Sequence, residues 1–213
     1  MTDPAVARMI PAARATAEIR AGNSRFVAQA APTATVAEAR AFIAETRSAL
    51  PEATHHVYAY RIGHGATTTE GQSDAGEPSG TAGRPMLAVL RGSGLGDLTV
   101  VVSRYFGGTL LGTGGLVRAY GDAAKAVVAV LPRAEKIAYV RLAVTVPYSS
   151  YETACRQVAT HAGTLVDEIF AVAVHLNIRL PATAAASFME DLTETTAGQA
   201  RIVPDATEVA GNG

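Results

Sequence analysis

The chain has 213 residues and a formal net charge of −1; 48% of its residues are hydrophobic and 17% charged. That composition supports a sizeable core in one large or two small domains; it argues against global disorder and against the strongly basic balance of a generic nucleic-acid binder. A single cysteine, Cys155, excludes an intramolecular disulfide and a cysteine metal cluster, and fits a reducing compartment.

The opening "MTDPAVARMIPAARA" lacks an apolar core of signal-peptide length and is interrupted by Pro4 and Pro11. No run reaches the ~18 apolar residues of a membrane span. A soluble cytoplasmic protein is the expectation. "ATAEIRAG" and "SRFVAQAAP" alternate weakly around "AGNS" and predict a β-hairpin. "TVAEARAFIAETRSAL" predicts a helix, with Thr35 as N-cap, Glu38 completing a capping-box pattern and Pro51 beyond its end. "THHVYAYRI" alternates as a strand, with His56, Tyr58 and Tyr60 on one face and His55, Val57 and Ala59 on the other. "GHGATTTEGQSDAGEPSGTAG" reads as a long polar loop. "RPMLAVLRGSG" is a short helix with Pro85 in its first turn. "LTVVVSRYF" is a strand whose continuous apolar run predicts cover on both faces.

A Gly-rich stretch, "SRYFGGTLLGTGGLVRAY", then leads into the helix "GGLVRAYGDAAKAVVAVLP", closed by Pro132. A linker around "RAEKI" separates this domain, placed at residues 14–132, from a second at 137–205. There the elements read strand "IAYVRLAVTVPY", helix "SYETACRQVATHAG" (Ser149 or Ser150 as N-cap, Gly163 as C′ stop, Cys155 a buried thiol), strands "TLVDEIF" and "AVAVHLNIRL", helix "PATAAASFMEDLTETTAG" and strand "QARIVP". The order β-α-β-β-α-β is the split-βαβ, ferredoxin-like signature. The fold class is α+β in two domains. The tail "ATEVAGNG" is expected to fray.

Three stretches carry chemistry. In the Gly-rich stretch, Gly107 and Gly112 have P-loop spacing, but Thr113 stands where the lysine belongs, and no dinucleotide GxGxxG is complete. Gly107, Gly108, Gly114 and Gly115 still let backbone N–H groups approach an anion at a helix start near Gly114, with Arg104 and Arg118 framing the site. The other reading is a tight strand-to-helix crossover whose arginines bind the protein's own carbonyls or carboxylates, and the residues alone leave both open. In "SDAGEPSGTAG", Asp74 and Glu77 with Thr81 suit a metal or acid/base site. A turn-rich loop, or a salt bridge from Asp74 or Glu77 to Arg104 or Arg118, is the simpler reading. His55 and His56 are adjacent in a strand, face opposite ways and cannot chelate one metal. No catalytic residue, metal cluster or cofactor motif is legible.

"SRFVA", "ATHHVYAYR", "SDAGEPSGTAGRP" and "VVVSRYFGGTLLGTGGLVRAY", in that order and spacing, resemble the Impact family in its bacterial YigZ-like branch. The resemblance covers most of residues 15–130. It implies a first domain like the second domain of a small-subunit ribosomal protein and domain IV of elongation factor G, and a ferredoxin-like second domain. It also implies a non-enzymatic role in translation or its regulation, with RNA, the ribosome or a translation factor as partner. An enzyme acting on a small molecule or phosphate ligand through the 73–81 and 104–118 loops is the alternative. The family commonly has a second Asp where Ala75 stands, a lysine at Leu110, Asn-Cys at His56-Val57 and a lysine at Asn23. Two of these differences remove positive charge. The residues singled out for a site are Arg104, Gly107, Gly108, Gly114, Gly115 and Arg118, with His55, Asp74, Glu77 and Thr81 as a polar set or loop lock.

Overall fold

The computed structural model describes residues 8–208. The chain divides into two compact units between Glu135 and Lys136. Residues 1–7, the first part of the segment read for a leader, lie outside the described residues.

The first unit opens with a short strand, β1 (Met9–Pro11), followed by the expected hairpin, β2 (Ala15–Ala21) and β3 (Ser24–Pro32). Their register places Ala21 opposite Ser24 across a Gly22-Asn23 turn. Helix α1 (Val36–Ala49) starts where its cap predicts. Thr35 accepts a 3.1 Å bond from the Glu38 N–H, while the Glu38 carboxylate reaches back to the Ala34 N–H at 2.7 Å. Strand β4 (His55–Ile62) buries Val57 and Ala59 on the expected face.

The long polar segment is not all loop. It forms a 3-10 turn and an edge strand, β5 (Thr69–Ser73), paired to β4. Its residues are polar because none of them is buried at this edge of the sheet. Helix α2 (Gly83–Gly92), strand β6 (Leu98–Tyr105) and helix α3 (Gly112–Val130) follow. The α3 start lies two residues before the expected one, so Gly114 and Gly115 sit inside its first turn. The segment read as a linker also pairs: β7 (Arg133–Glu135) runs antiparallel to β1.

The five-stranded sheet has the order β2-β3-β6-β4-β5, antiparallel throughout. The central β6 is buried along nearly its whole length. Val100 and Val102 face the main core with Phe26, Met86 and Tyr120, and Val101 faces α1 through Phe42 and Ile43. Cover on both faces explains the unbroken apolar run.

The second unit contains β8 (Tyr139–Val146), α4 (Tyr151–Thr160), β9 (Thr164–Phe170), β10 (Val174–Pro181), α5 (Ala185–Thr195) and β11 (Arg201–Glu208). The sheet order β11-β8-β10-β9 is that of the split βαβ fold. Leu142, Val144, Leu176 and Ile178 face Val158, Phe188 and Leu192 of the helices.

Local details differ from the sequence reading. Ser150 occupies the N-cap of α4 but makes no side-chain cap bond. The left-handed residue ending α4 is Ala162 at φ 53°, not Gly163. Gly163 is required by space instead, since a Cβ there would lie 2.2 Å from Leu180 Cδ2. Cys155 is half-buried rather than enclosed. Strand β11 carries the backbone to Glu208, through the first residues of the tail expected to fray; the remainder lies outside the described residues.

Candidate functional site

The site forms at one end of the first unit's sheet. Register places Phe26, Arg104 and His55 side by side on β3, β6 and β4. Strand alternation aims all three at the face covered by α2 and α3. An arginine in that position enters a largely apolar layer and needs a counter-charge. The 74–82 loop supplies it: Arg104 Nη1 donates to Glu77 Oε1 at 2.8 Å, and the Tyr120 hydroxyl of α3 donates to the same oxygen at 2.7 Å. Arg104 Nη2 donates to Ser24 Oγ at 3.2 Å, which ties in the β2–β3 hairpin. Arg104 is 5% and Glu77 8% exposed, so this is a buried ion pair. Burial, then the bond to Glu77, raises the Tyr120 hydroxyl pKa and holds it as a donor.

His55 completes the group. Its Nδ1 lies 2.9 Å from the Ala75 carbonyl, which only accepts, so Nδ1 carries a proton and donates. Its Nε2 lies 4.0 Å from Glu77 Oε1. All three contacts converge on Oε1.

Asp74 does different work. Oδ1 accepts from the Ala82 and Gly83 N–H groups at 3.0 and 2.8 Å, and Oδ2 from Gly80 N–H at 2.8 Å. It caps the approach to α2 and fixes the loop. Burial pushes its carboxyl pKa up, but the bonds from Gly80, Gly83 and Ala82, with nearby Arg84, outweigh this and hold it below the ordinary value. Ala75 and Gly76 have φ 46° and 91°, and Glu77 N–H donates to the Asp74 carbonyl at 2.9 Å. That is a type I′ turn, the tight reversal that swings Glu77 inward. Thr81 donates to the Pro78 carbonyl at 2.6 Å and closes the loop's far side.

The Gly-rich loop borders the same end. Gly107 packs so closely on the hairpin turn that a Cβ would lie 1.9 Å from the Asn23 carbonyl oxygen. Asn23 Nδ2 donates to Thr109 Oγ1 at 3.1 Å, and Gly107 N–H to Ser24 Oγ at 3.4 Å. Gly108 and Gly112 take positive φ, whereas Gly114 and Gly115 are helical. Between the two loops lies a pocket of about 440 Å³, with His55, Glu77 and Arg104 among its polar wall and Phe106, Leu111 and Leu116 among its apolar wall. Phe106 is 46% and Leu110 86% exposed at its rim. No side chain caps the first turn of α3, and Gly112 and Thr113 line the pocket.

Arg118 does not join this group. It is exposed on α3 and has no hydrogen-bond or ion-pair partner among the described residues. Two helical residues turn through about 200°, so with Tyr120 buried inward Arg118 faces out. Tyr120 is the residue of this helix that bonds to Glu77. The inward stripe Leu116, Ala119, Tyr120, Ala123 carried that signal in the sequence. Among the described residues no group of three or more His, Cys, Asp or Glu side chains could hold a metal.

Residues 22–128 match the Impact N-terminal domain, and residues 144–199 match a domain of unknown function (DUF1949). An IMPACT family member, YigZ, from Escherichia coli is 36% identical over 196 residues, 92% of this chain and 96% of that protein. An IMPACT family member from Haemophilus influenzae is 33% identical over 192 residues, 90% of this chain and 93% of that protein. A solved structure titled as a hypothetical protein is 35% identical, with a TM-score of 0.69, covering 95% of this chain and 98% of its own. The pairing of both domains along one chain, with these relatives over nearly its full length, places the protein: it belongs to the IMPACT family.

Proposed function

We propose that the chain is a non-catalytic cytoplasmic protein that acts in translation or its regulation. In this reading it binds RNA, the ribosome or a translation factor through the pocket between the 74–82 and 106–112 loops. The observation that carries the reading is how the charges are used. Arg104 is bound to Glu77 and Ser24, and Asp74 is bound to three backbone N–H groups. Arg104 and Glu77 form part of the pocket wall, and Asp74 holds the loop that carries Glu77. What remains for a partner is an apolar rim, Phe106 and Leu110, and the uncapped first turn of α3. Exposed aromatic and aliphatic anchors beside a concavity suit insertion of a partner's side chain or a base. The enzyme alternative needs Arg104 available to a phosphate, and the Glu77 pairing removes that support. No helix among the described residues is long and apolar enough to cross a membrane.

The test compares the parent chain with a Phe106→Ser/Leu110→Ser variant in co-sedimentation with ribosomes and in binding to structured RNA and translation factors at near-physiological salt. The expected result is about tenfold weaker binding by the variant, with its thermal midpoint unchanged. A folded parent that binds none of these partners defeats the proposal.

A further inference from the structure

A second surface has a more definite chemistry. In the sheet of the second unit, Leu142, Val144, Leu176 and Ile178 point to the helices, so the alternate residues point to the open side. There Arg141 and Arg179 are direct cross-strand partners on β8 and β10. Arg201 of β11 lies opposite Thr145, which on its other side faces His175. Thr145 Oγ1 and His175 Nδ1 are 3.0 Å apart. The Arg179 guanidinium stacks 3.9 Å from the centre of the Tyr139 ring. Arg141, His175, Asn177 and Arg201 are exposed.

Among the described side chains this charge is segregated. Acidic residues outnumber basic ones in the second unit, yet three of its four arginines occupy this face. The helical side holds Glu152, Glu190 and Glu194, together with Glu168, which accepts from the α4 residue Tyr151 at 2.7 Å. Among the side chains described on the open face, Asp167 is the one acid; the backbone register also sets Glu208 opposite Tyr139. Asp167 sits on β9, the edge strand farthest from Arg201.

We propose that this open sheet face binds single-stranded nucleic acid, with phosphates on Arg141, Arg179 and Arg201 and a base stacked on the Arg179–Tyr139 pair. Guanidinium forks match phosphate geometry. A four-residue step along β8 separates the Arg141 row from the Arg201 row by about 13 Å at strand rise, enough for more than one nucleotide. A flat sheet suits splayed, unstacked bases, whereas a duplex groove takes a helix or a ribbon. The apolar residues of this face, Ala143, Val203 and Ile169, are interleaved with Arg, Thr, Asn and His and form no anchor cluster of the kind an apolar protein partner would want. The proposal concerns a surface other than the pocket and does not rest on it.

The test is fluorescence anisotropy of the full-length chain with a labelled oligouridylate and the matching oligothymidylate over roughly 50–200 mM salt. Three neutralised phosphates at about 0.7 each predict a log–log salt slope near −2. Arg141→Gln, Arg179→Gln and Arg201→Gln should each reduce that slope by about 0.7, and the triple variant should lose salt-dependent binding. The Arg141→Gln/Arg201→Gln double variant leaves the stacked pair intact and serves should Arg179→Gln not fold. Glu190→Gln, on the helical side of the unit, should bind both oligomers like the parent. The ratio of the two affinities tells RNA from DNA as the ligand. The proposal is overturned if the parent binds neither oligomer at low salt, if a folded triple variant keeps the parent's affinity and slope, or if the Phe106→Ser/Leu110→Ser pocket variant loses the binding and the arginine variants do not.

Discussion

Arg104 and Glu77 lie 27 residues apart in sequence and 2.8 Å apart in space, with side chains 6% and 3% exposed. Their bond joins the end of β6 to the turn that precedes α2, and Tyr120 joins α3 to both. Arg104→Ala should therefore cost about 3–5 kcal/mol, because it leaves a carboxylate buried without its partner. Arg104→Met/Glu77→Leu should recover much of that loss. A double-mutant cycle in urea denaturation measures the coupling. Additive single effects would show that the pair is not a unit.

Asp74 makes a pH prediction with a definite sign. Its folded-state pKa lies below the ordinary 3.8. Its contribution is thus present above the unfolded value and lost as pH falls through the folded one. Asp74→Asn should destabilise the chain by about 1–2 kcal/mol at neutral pH, partial exposure keeping the effect modest. The gap between parent and variant should narrow below about pH 4. Denaturation at pH 7 and pH 3 checks both statements.

Two neighbours in the type I′ turn should respond in opposite ways. Ala75 holds φ 46°, a region that costs an ordinary residue ~1–2 kcal/mol and suits Asn or Gly. Ala75→Asn should raise stability by about 0.5–1 kcal/mol. Gly76→Ala adds a Cβ at φ 91°, 3.2 Å from His55 Nδ1, and should lower it by at least about 1 kcal/mol. Thermal midpoints of both variants decide the matter.

His56 lies on the α1 side of the sheet, with Nδ1 2.9 Å from Ser103 Oγ. Burial first, then the charges of Arg47 and His55, holds its imidazole below the ordinary 6.5. The folded state prefers the neutral ring, so its contribution is full above pH 6.5 and is lost as pH falls through the lowered value. Between pH 7 and 5 the thermal midpoint of the parent should drop more than that of His56→Gln. Equal drops would place the acid sensitivity elsewhere.

The sequence was most legible where burial is periodic or complete. The run Leu98–Ser103 announced a strand covered on both faces, and Thr35 with Glu38 marked a helix start to the residue. It was least legible where pairing rather than side chains makes the element. Strand β5 is polar Thr-Glu-Gly-Gln-Ser at an edge, and β1 and β7 are three residues each. At the site, charge drew attention to Arg118, although the helical stripe that buries Tyr120 turns residue 118 outward. The choice between Arg104 bound to the protein's own carboxylate and Arg104 open to a ligand depended on a contact between distant segments. No local pattern encodes that contact. The arginine face of the second unit was equally hidden, because one of its three members comes from each of three separated strands.

The pairing of β1 with β7 has a mechanical consequence. Met9 faces Glu135 across the rung through which the chain enters and leaves the first unit, and the two strands run antiparallel. Directly opposed residues in such a ladder are about 4.5–5.5 Å apart. Tension on the two ends would peel this clasp open one rung at a time, as a zipper, rather than shear its bonds together. The same closeness means that a short turn could join the two ends into a ring, and the sheet and its pocket could be opened elsewhere without moving a strand.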